Sequence, residues 1–481
     1  MIERGIGCGG CSGCQDGSRC VPYRGKLLKY DGLRFTADGF DCALPVSLDS
    51  HNTCSFRCMY CFSNNLMRDP NRKLADQRGQ SAFLVGQQSL AVLERILSGG
   101  FSSQTRLGKI YKTLHSTVKK AGDKRICPIQ VGALGDPLDN VERQQGWLLR
   151  AIPIFNKHEQ PVRISTKGAD VALRPEYLRA FAMRPELYWV AWSCISIDDE
   201  MLAKVDVDAP SATQRLRAMK ALSKLGVKNS LRMRPMLPGI SDSTPKHPKA
   251  WRDLLRAGRE AGAIALSMEF AFVPGVRPSH IQSMWKQVEQ ATDIPLVEHY
   301  IKTSSTYGNC LRSSRAWKED LTLAIYEECK KLGMHFGCSD PHWKELNDFG
   351  CCCGIPPDDP VFGAWQHEQA TDALVRARQG AERGEKVLVS AKDGIPWWAG
   401  QILLDEMTCQ AGRKNTHSRR LLRWEDKLRD TWNDLHGARG PLQYFEGVLW
   451  PVRRSAAGDI EYEYRPPQHR DRKKPLLYWR V

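Results

Sequence analysis

From residue 40 to residue 270 the chain alternates short apolar runs with longer stretches whose apolar positions recur every three or four residues. A run at 40–48 predicts a first strand. Residues 81–97 have helical spacing and stop at Gly99-Gly100, a helix terminator. Further strands are predicted at 128–134, 162–166, 188–197, 230–237 and 263–270, and helices at 141–155, 173–183, 211–225 and 248–261. The 188–197 run is rich in aromatic and β-branched residues, and Gly226 closes the 211–225 helix. Six β-α repeats predict an α/β chain, a parallel sheet with helices outside, hence an open or partial (β/α)6 barrel. In such barrels the chemistry sits at the C-terminal ends of the strands.

Both flanks break this pattern. Residues 1–39 are rich in Gly and Cys and have no helical or strand period, so a metal or a partner must order them. Residues 306–360 hold Cys310, Cys329, Cys338 and the triplet Cys351-Cys352-Cys353. Beyond 360 the cysteines nearly stop. Residues 366–383 predict an amphipathic helix, and the remainder is polar, basic and aromatic, as in Arg419-Arg420, Trp424, Trp432, Tyr444, Trp450, Arg453-Arg454, Arg472-Lys473-Lys474 and Tyr478-Trp479-Arg480. The chain thus divides into a metal-binding segment (1–39), the barrel (40–305), an auxiliary-cluster region (306–360) and a basic aromatic domain (361–481). Aromatic faces interleaved with arginines suit stacking on bases and contact with phosphates. The alternative is a small packed domain with tryptophan in its core.

Lys and Arg number 70 against 54 Asp and Glu, a formal net charge of +16 over 481 residues. That balance favours a polyanionic partner, nucleic acid above all, over a basic surface with no partner. No N-terminal stretch looks like a signal peptide, and no run approaches the roughly 20 apolar residues of a membrane span. A cytoplasmic protein without a membrane partner is expected. In a reducing compartment 17 cysteines point to metal rather than to disulfides.

Cys54-Ser-Phe-Arg-Cys58-Met-Tyr-Cys61 has the spacing C-x3-C-x2-C. A closed electron-transfer cluster takes four cysteines; this loop supplies three, which leaves one iron of a [4Fe-4S] cube open. Zinc sites are usually built from C-x2-C pairs with distant partners. The spacing, with an aromatic before the last cysteine, resembles the radical S-adenosylmethionine (SAM) superfamily. The resemblance implies that the open iron chelates SAM. The reduced cluster then cleaves SAM to a 5′-deoxyadenosyl radical, which abstracts a hydrogen atom from substrate. An external electron donor such as flavodoxin or ferredoxin is implied.

Other motifs are similar to the spore photoproduct lyase group within it. Gly132-Ala-Leu-Gly135-Asp136-Pro137, followed by Glu142, looks like that group's turn after strand two. Ser165-Thr166-Lys167 looks like its strand-three end. The resemblance implies SAM contacts from the Gly135-Asp136 turn, from Ser165, Thr166 and Lys167, from Ser196 after strand four, and from Arg215, whose guanidinium can grip a carboxylate. Tyr60 would lie against the SAM adenine or pack beneath the loop. Arg232 and Arg234 share one face of a strand and either line the barrel and meet a phosphate or sit on an edge. Glu269 is a barrel-lining group or a paired structural charge. The resemblance also implies a hydrogen-returning cysteine and tyrosine, for which Cys127 and Tyr307 stand as candidates, although Cys127 falls at the start of strand two.

Cys8, Cys11, Cys14 and Cys20 approach ferredoxin-type spacing and predict an auxiliary iron–sulfur cluster, with zinc as runner-up. Cys338 with one or two of Cys351, Cys352 and Cys353 is a second candidate set. Cys42, Cys127, Cys329 and Cys409 are isolated and read mostly as core thiols. The expected activity is radical SAM chemistry on a nucleic-acid base, DNA favoured over RNA, as hypermodification, rearrangement or thymine-lesion repair. The rivals are a peptide-modifying radical SAM enzyme and a non-catalytic iron–sulfur protein that binds nucleic acid.

Overall fold

The computed structural model describes residues 26–28, 33–35, 44, 46–51, 54–61, 83–85, 88–100, 126–133, 135–307, 310–365, 369–401 and 423–466. Cys8, Cys11, Cys14, Cys20, Cys42 and Cys409 lie outside these residues, as do the basic clusters at 419–420 and 470–474.

The strands in chain order are β1 (Lys26–Leu28), β2 (Leu33–Phe35), β3 (Val46–Leu48), β4 (Phe83–Val85), β5 (Ile129–Val131), β6 (Val162–Thr166), β7 (Tyr188–Ser193) and β8 (Lys228–Met236). They continue with β9 (Ala263–Phe270), β10 (Phe272–Pro274), β11 (Ser304–Tyr307), β12 (Cys310–Ser313), β13 (His335–Cys338), β14 (Leu388–Val389), β15 (Leu449–Arg454) and β16 (Ile460–Tyr464). The main sheet runs β13-β9-β8-β7-β6-β5-β3-β2. Every pair in it is parallel except the antiparallel β2–β3 edge. It is an open α/β sheet of partial-barrel type. The predicted sixth strand is not its last: β13, within the 306–360 region, adds a seventh parallel strand beside β9.

Register separates the two faces. On one, Thr166, Trp192, Leu231, Leu266 and Phe336 lie in a row. All are at most 1% exposed. Helix Ala250–Glu260 packs here, since a Cβ on Gly258 would touch Leu231 Cδ2 at 3.2 Å. Each large apolar side chain buried this way contributes roughly 1.5–3 kcal/mol. The other face carries Ser47, Gln130 and Arg163 in one row and Ser193, Arg232, Ser267 and Gly337 in another. A polar inner face and an apolar helix-covered face explain the strict alternation in Val-Arg-Ile-Ser-Thr of β6.

Several helices differ from the expected bounds for local reasons. The 141–155 helix is two, Asn140–Gln145 and Trp147–Lys157, because Gly146 takes φ 57° and serves as C-cap of one and N-cap of the other. The 173–183 helix starts at Pro175, with Ala169–Ala172 a separate turn before it. The 81–97 segment gives up β4 and is helical over Gln88–Leu97. The 366–383 helix spans Ala370–Glu382.

Beyond residue 361, β14, β16 and β15 form an antiparallel sheet. Helix Trp424–Trp432 puts Trp424 and Trp432 into the core, 2% and 1% exposed, and Trp432 Nε1 donates to Ile460 O at 2.8 Å. These two tryptophans are core residues rather than stacking platforms. No helix among the described residues is long and apolar enough to cross a membrane.

Candidate active site

The cysteine loop leaves the C-terminal end of β3, and two neighbouring segments fix it. Asp49 Oδ1 accepts from Ala133 N at 2.9 Å, which ties the exit of β3 to that of β5. Ser55 N donates to Asp139 Oδ2 at 2.8 Å and Asn140 N to Ser55 Oγ at 3.1 Å. From the other side Met59 N bonds Val205 O at 2.9 Å, Asp208 N bonds Phe56 O at 3.2 Å, and Arg57 pairs with Asp208. Phe56 and Tyr60, each 3% exposed, anchor the loop in the core. Cys58 is buried, and Cys54 and Cys61 are half-buried.

The three thiols lie within one another's field. Burial pushes the Cys54 thiol well up, and Asp139, Asp136, Cys58 and Cys61 add to it. Burial also raises Cys58, with Asp206 adding and Lys167 opposing. Such sulfurs ionise only against a cation, and a bound metal inverts this logic. Among the described residues no group of three His, Cys, Asp or Glu could hold a single metal ion. A donor set of three soft sulfurs fits an iron–sulfur cluster.

Beneath the loop Asp206 gathers three of the predicted SAM contacts. Lys167 Nζ donates to Asp206 Oδ1 at 2.8 Å, to Tyr60 Oη at 2.7 Å and to Cys58 Sγ at 3.0 Å. An ammonium has no lone pair to accept with, so the sulfur is the acceptor, as a metal-bound thiolate would be. Tyr60 Oη also donates to Asp206. Arg215 Nη2 donates to Asp206 Oδ2 at 2.7 Å and its Nη1 to Ser193 O at 3.0 Å. Burial would raise the Asp206 carboxyl, but Lys167 and Arg215 outweigh it and hold it well below the usual carboxylate range. Tyr60 therefore packs beneath the loop, and Arg215, 1% exposed, is an internal ion-pair partner rather than an open carboxylate clamp.

The Gly-Asp-Pro turn is welded to the end of β6. Asp136 accepts from Thr166 Oγ1 at 2.6 Å, Lys167 N at 2.6 Å and Leu138 N at 3.0 Å. Burial raises its carboxyl to about 6, against those three bonds. Gly135 is half-buried and Ser196 fully buried. Ser196 Oγ accepts from Asp198 N at 3.3 Å. Ser165 faces the barrel interior, where Gln130 Nε2 and Arg163 Nη1 donate to its Oγ at 3.1 Å each. Glu142 is structural, bound by Tyr177 Oη at 2.6 Å and Leu149 N at 3.0 Å.

The remaining predicted residues are not gathered at the loop. Cys127, 3% exposed, precedes β5 at the N-terminal end, opposite the cysteine loop. Tyr307 ends β11, and its hydroxyl donates to Tyr444 O at 2.7 Å. Cys338 and the triplet lie on opposite faces of β13: a Cβ on the neighbouring Gly337 would meet Cys352 O at 2.7 Å, and alternation turns Cys338 away. The triplet Cys351, Cys352 and Cys353 instead packs on the inner face, with Cys351 and Cys353 against Trp189 and Ala265. Glu269 is held by Arg312 at 3.3 Å and Ser339 Oγ at 2.7 Å.

Sequence reasoning missed Asp206, the pair His51 Nε2–Asp139 Oδ1 at 3.2 Å and Arg163. The first two carry no motif. Arg163 was marked only by a charge inside an apolar alternation.

No family model and no curated protein matches the chain. Among solved structures, a spore photoproduct lyase mutant with bound AdoMet and dinucleoside spore photoproduct is similar over 64% of this chain and 79% of its own, at 12% identity and a TM-score of 0.43. The radical S-adenosylmethionine methyltransferase TsrM from Kitasatospora setae is similar over 70% and 62%, at 11% identity and 0.35. SuiB of Streptococcus suis bound to precursor peptide SuiA is similar over 73% and 74%, at 10% identity and 0.30.

Proposed function

We propose that this chain is a radical SAM enzyme acting on a base of nucleic acid, DNA in preference to RNA. The observation that carries the reading is a short loop with C-x3-C-x2-C spacing, Cys54, Cys58 and Cys61, at the C-terminal end of the first parallel strand of the main sheet. They would hold a [4Fe-4S] cluster, which with SAM supplies a hydrogen-abstracting radical. The chain's own part is to hold and shield. Lys167 steadies the Cys58 sulfur, and Asp206 holds Lys167, Tyr60 and Arg215 beneath the loop. The Gly135-Asp136 turn and the end of β6 would contact the SAM amino acid moiety. A spore photoproduct lyase has been solved with a dinucleoside lesion, and the formal charge of +16 supports a polyanionic substrate here. Cys8, Cys11, Cys14 and Cys20 remain the proposed ligands of an auxiliary cluster.

The test is anaerobic reconstitution with iron and sulfide, followed by SAM and dithionite. Wild type should form 5′-deoxyadenosine, and C54A, C58A and C61A should not. Digests of supplied DNA should then contain a nucleoside of altered mass. A wild-type protein that binds iron but leaves SAM intact would sink the reading.

A further inference from the structure

Three arginines converge on the inner face of the sheet without carboxylate partners among the described residues. Arg163 projects from β6, and Arg232 and Arg234 from β8. Arg163 is 5% exposed, yet its Nε and Nη2 have no hydrogen-bond partner; nor has the buried Nε of Arg234. The bonds they do make are to neutral groups. Arg163 Nη1 donates to Gln130 Oε1 and to Ser165 Oγ at 3.1 Å. Arg232 Nη1 donates to Ser193 Oγ at 3.1 Å, and Arg234 Nη2 to Cys352 O at 3.3 Å. Glu269 faces this group, but its oxygens are engaged by Arg312 and Ser339.

The cost falls on Arg232; against burial, Arg234 is held above its ordinary value by Cys352, Glu269 and Cys353. Burial, then the like charges of Arg234 and Arg163, weaken the hold of Arg232 on its proton to about 9. Buried cations persist where an anion completes them. Arg163 and Arg232 sit on strands separated by β7, whose Ser193 Oγ accepts from Arg232, and the charges of Arg234 and Arg163 both act on Arg232, so the guanidiniums border one region of the inner face. A planar carboxylate takes one in-plane fork from one arginine, whereas a tetrahedral phosphate presents oxygens to several guanidiniums at once.

We propose that Arg163, Arg232 and Arg234, with Ser165 and Ser193, form a phosphate subsite inside the barrel that binds a backbone phosphate of the nucleic-acid substrate. This rests on the nucleic-acid reading above and adds where the substrate is held. The subsite lies on the face lined by Ser165, one residue before Thr166 at the exit of β6, so a bound phosphate would place its adjoining base toward the cysteine loop.

Full-length protein reconstituted with its cluster is dialysed to equilibrium against the dinucleotide TpT and against its methylphosphonate analogue, whose linkage is uncharged. Wild type should bind TpT about tenfold or more tighter than the analogue, the worth of one charge-assisted bond or more. R232Q should bind TpT several-fold more weakly and discriminate less between the two ligands, and R232K should recover part of the difference. Because a like charge is removed, R232Q should melt at or above the wild-type temperature. Equal affinity of wild type for the two ligands overturns the proposal, as does unchanged TpT affinity in R232Q. Melting of R232Q well below wild type would mark Arg232 as a structural cation and also overturns it. The two readings fail separately. SAM cleavage without charge-dependent TpT binding refutes the subsite alone, and charge-dependent binding without SAM cleavage refutes the enzyme reading alone.

Discussion

Lys167 Nζ and Asp206 Oδ1 stand 2.8 Å apart, both buried, and join the end of β6 to the segment that follows helix Asp199–Val205. The same carboxylate holds Arg215 at 2.7 Å. Removing it leaves two buried cations without a counter-charge. The variant Asp206→Ala should lose about 3–5 kcal/mol of unfolding free energy, read from guanidinium titration of the reconstituted protein. Replacement of Asp206 with no loss of stability would show that the pair is not what supports the loop.

Lys167 itself touches a predicted cluster ligand, since its ammonium donates to Cys58 Sγ at 3.0 Å. Partners of metal ligands typically matter by 10–100-fold in affinity. Lys167→Met keeps the aliphatic stem and removes the donor. It should speed loss of iron to a chelator by roughly that factor, with far-ultraviolet circular dichroism unchanged. Release at the wild-type rate would separate Lys167 from the cluster.

His51 gives the fold a pH dependence of definite sign. Burial lowers its pKa, but Asp139, with Glu142 and Asp49, raises it further, from 6.5 to about 8. A raised pKa means the folded state binds the proton more tightly than the unfolded chain. The stabilisation is therefore fully present below pH 6.5 and lost as pH rises through about 8. It amounts to about 2 kcal/mol. The stability difference between wild type and His51→Gln should narrow across that window, measured as denaturant midpoints at successive pH values. A constant difference would contradict the assignment.

In the C-terminal unit, a Cβ added to Gly394 would meet Trp432 Cζ3 at 2.0 Å, so the buried ring lies directly on that backbone. Trp432→Ala should cost about 3–5 kcal/mol, as large core truncations do. If Trp432 is purely a core residue, binding of duplex DNA by protein that remains folded should keep its salt dependence. A weaker salt slope at unchanged stability would restore it as a nucleic-acid contact.

These contacts show where the sequence was readable. Local patterns carried most of the barrel: β9 spans residues 263–270 as expected, and the 211–225 helix is Ala212–Lys224, capped by the Ser211–Gln214 box. The C-x3-C-x2-C loop was legible because its meaning lies in spacing alone. β13 was not, because four residues, His-Phe-Gly-Cys, give too short a period and their cysteine read as a ligand. Asp206 was not either, because its partners Tyr60 and Lys167 lie 146 and 39 residues away. The resemblance marked Arg215 as an arginine that meets a carboxylate, but no local rule says that the carboxylate is Asp206.

The seam between β5 and β6 is the most stringent remaining test of the site. Gly168 has φ −74°, which any residue can adopt. What requires glycine is proximity: a Cβ there would lie 2.0 Å from Leu138 O and 2.6 Å from Leu138 Cβ. Backbone cannot yield as a side chain end can. Leu138 N is also bonded to Asp136, which in turn accepts from Thr166 and Lys167 N. Gly168→Ala should therefore push the Gly-Asp-Pro turn off the exit of β6 at a cost of about 1–3 kcal/mol. Because that turn is the proposed seat of the SAM amino acid moiety, SAM affinity in equilibrium dialysis should fall along with stability. The cysteine loop is tied to Asp139 and Val205 by its own bonds, so iron content should hold. Stability lost with SAM affinity intact would mean that SAM is seated elsewhere on the barrel rim.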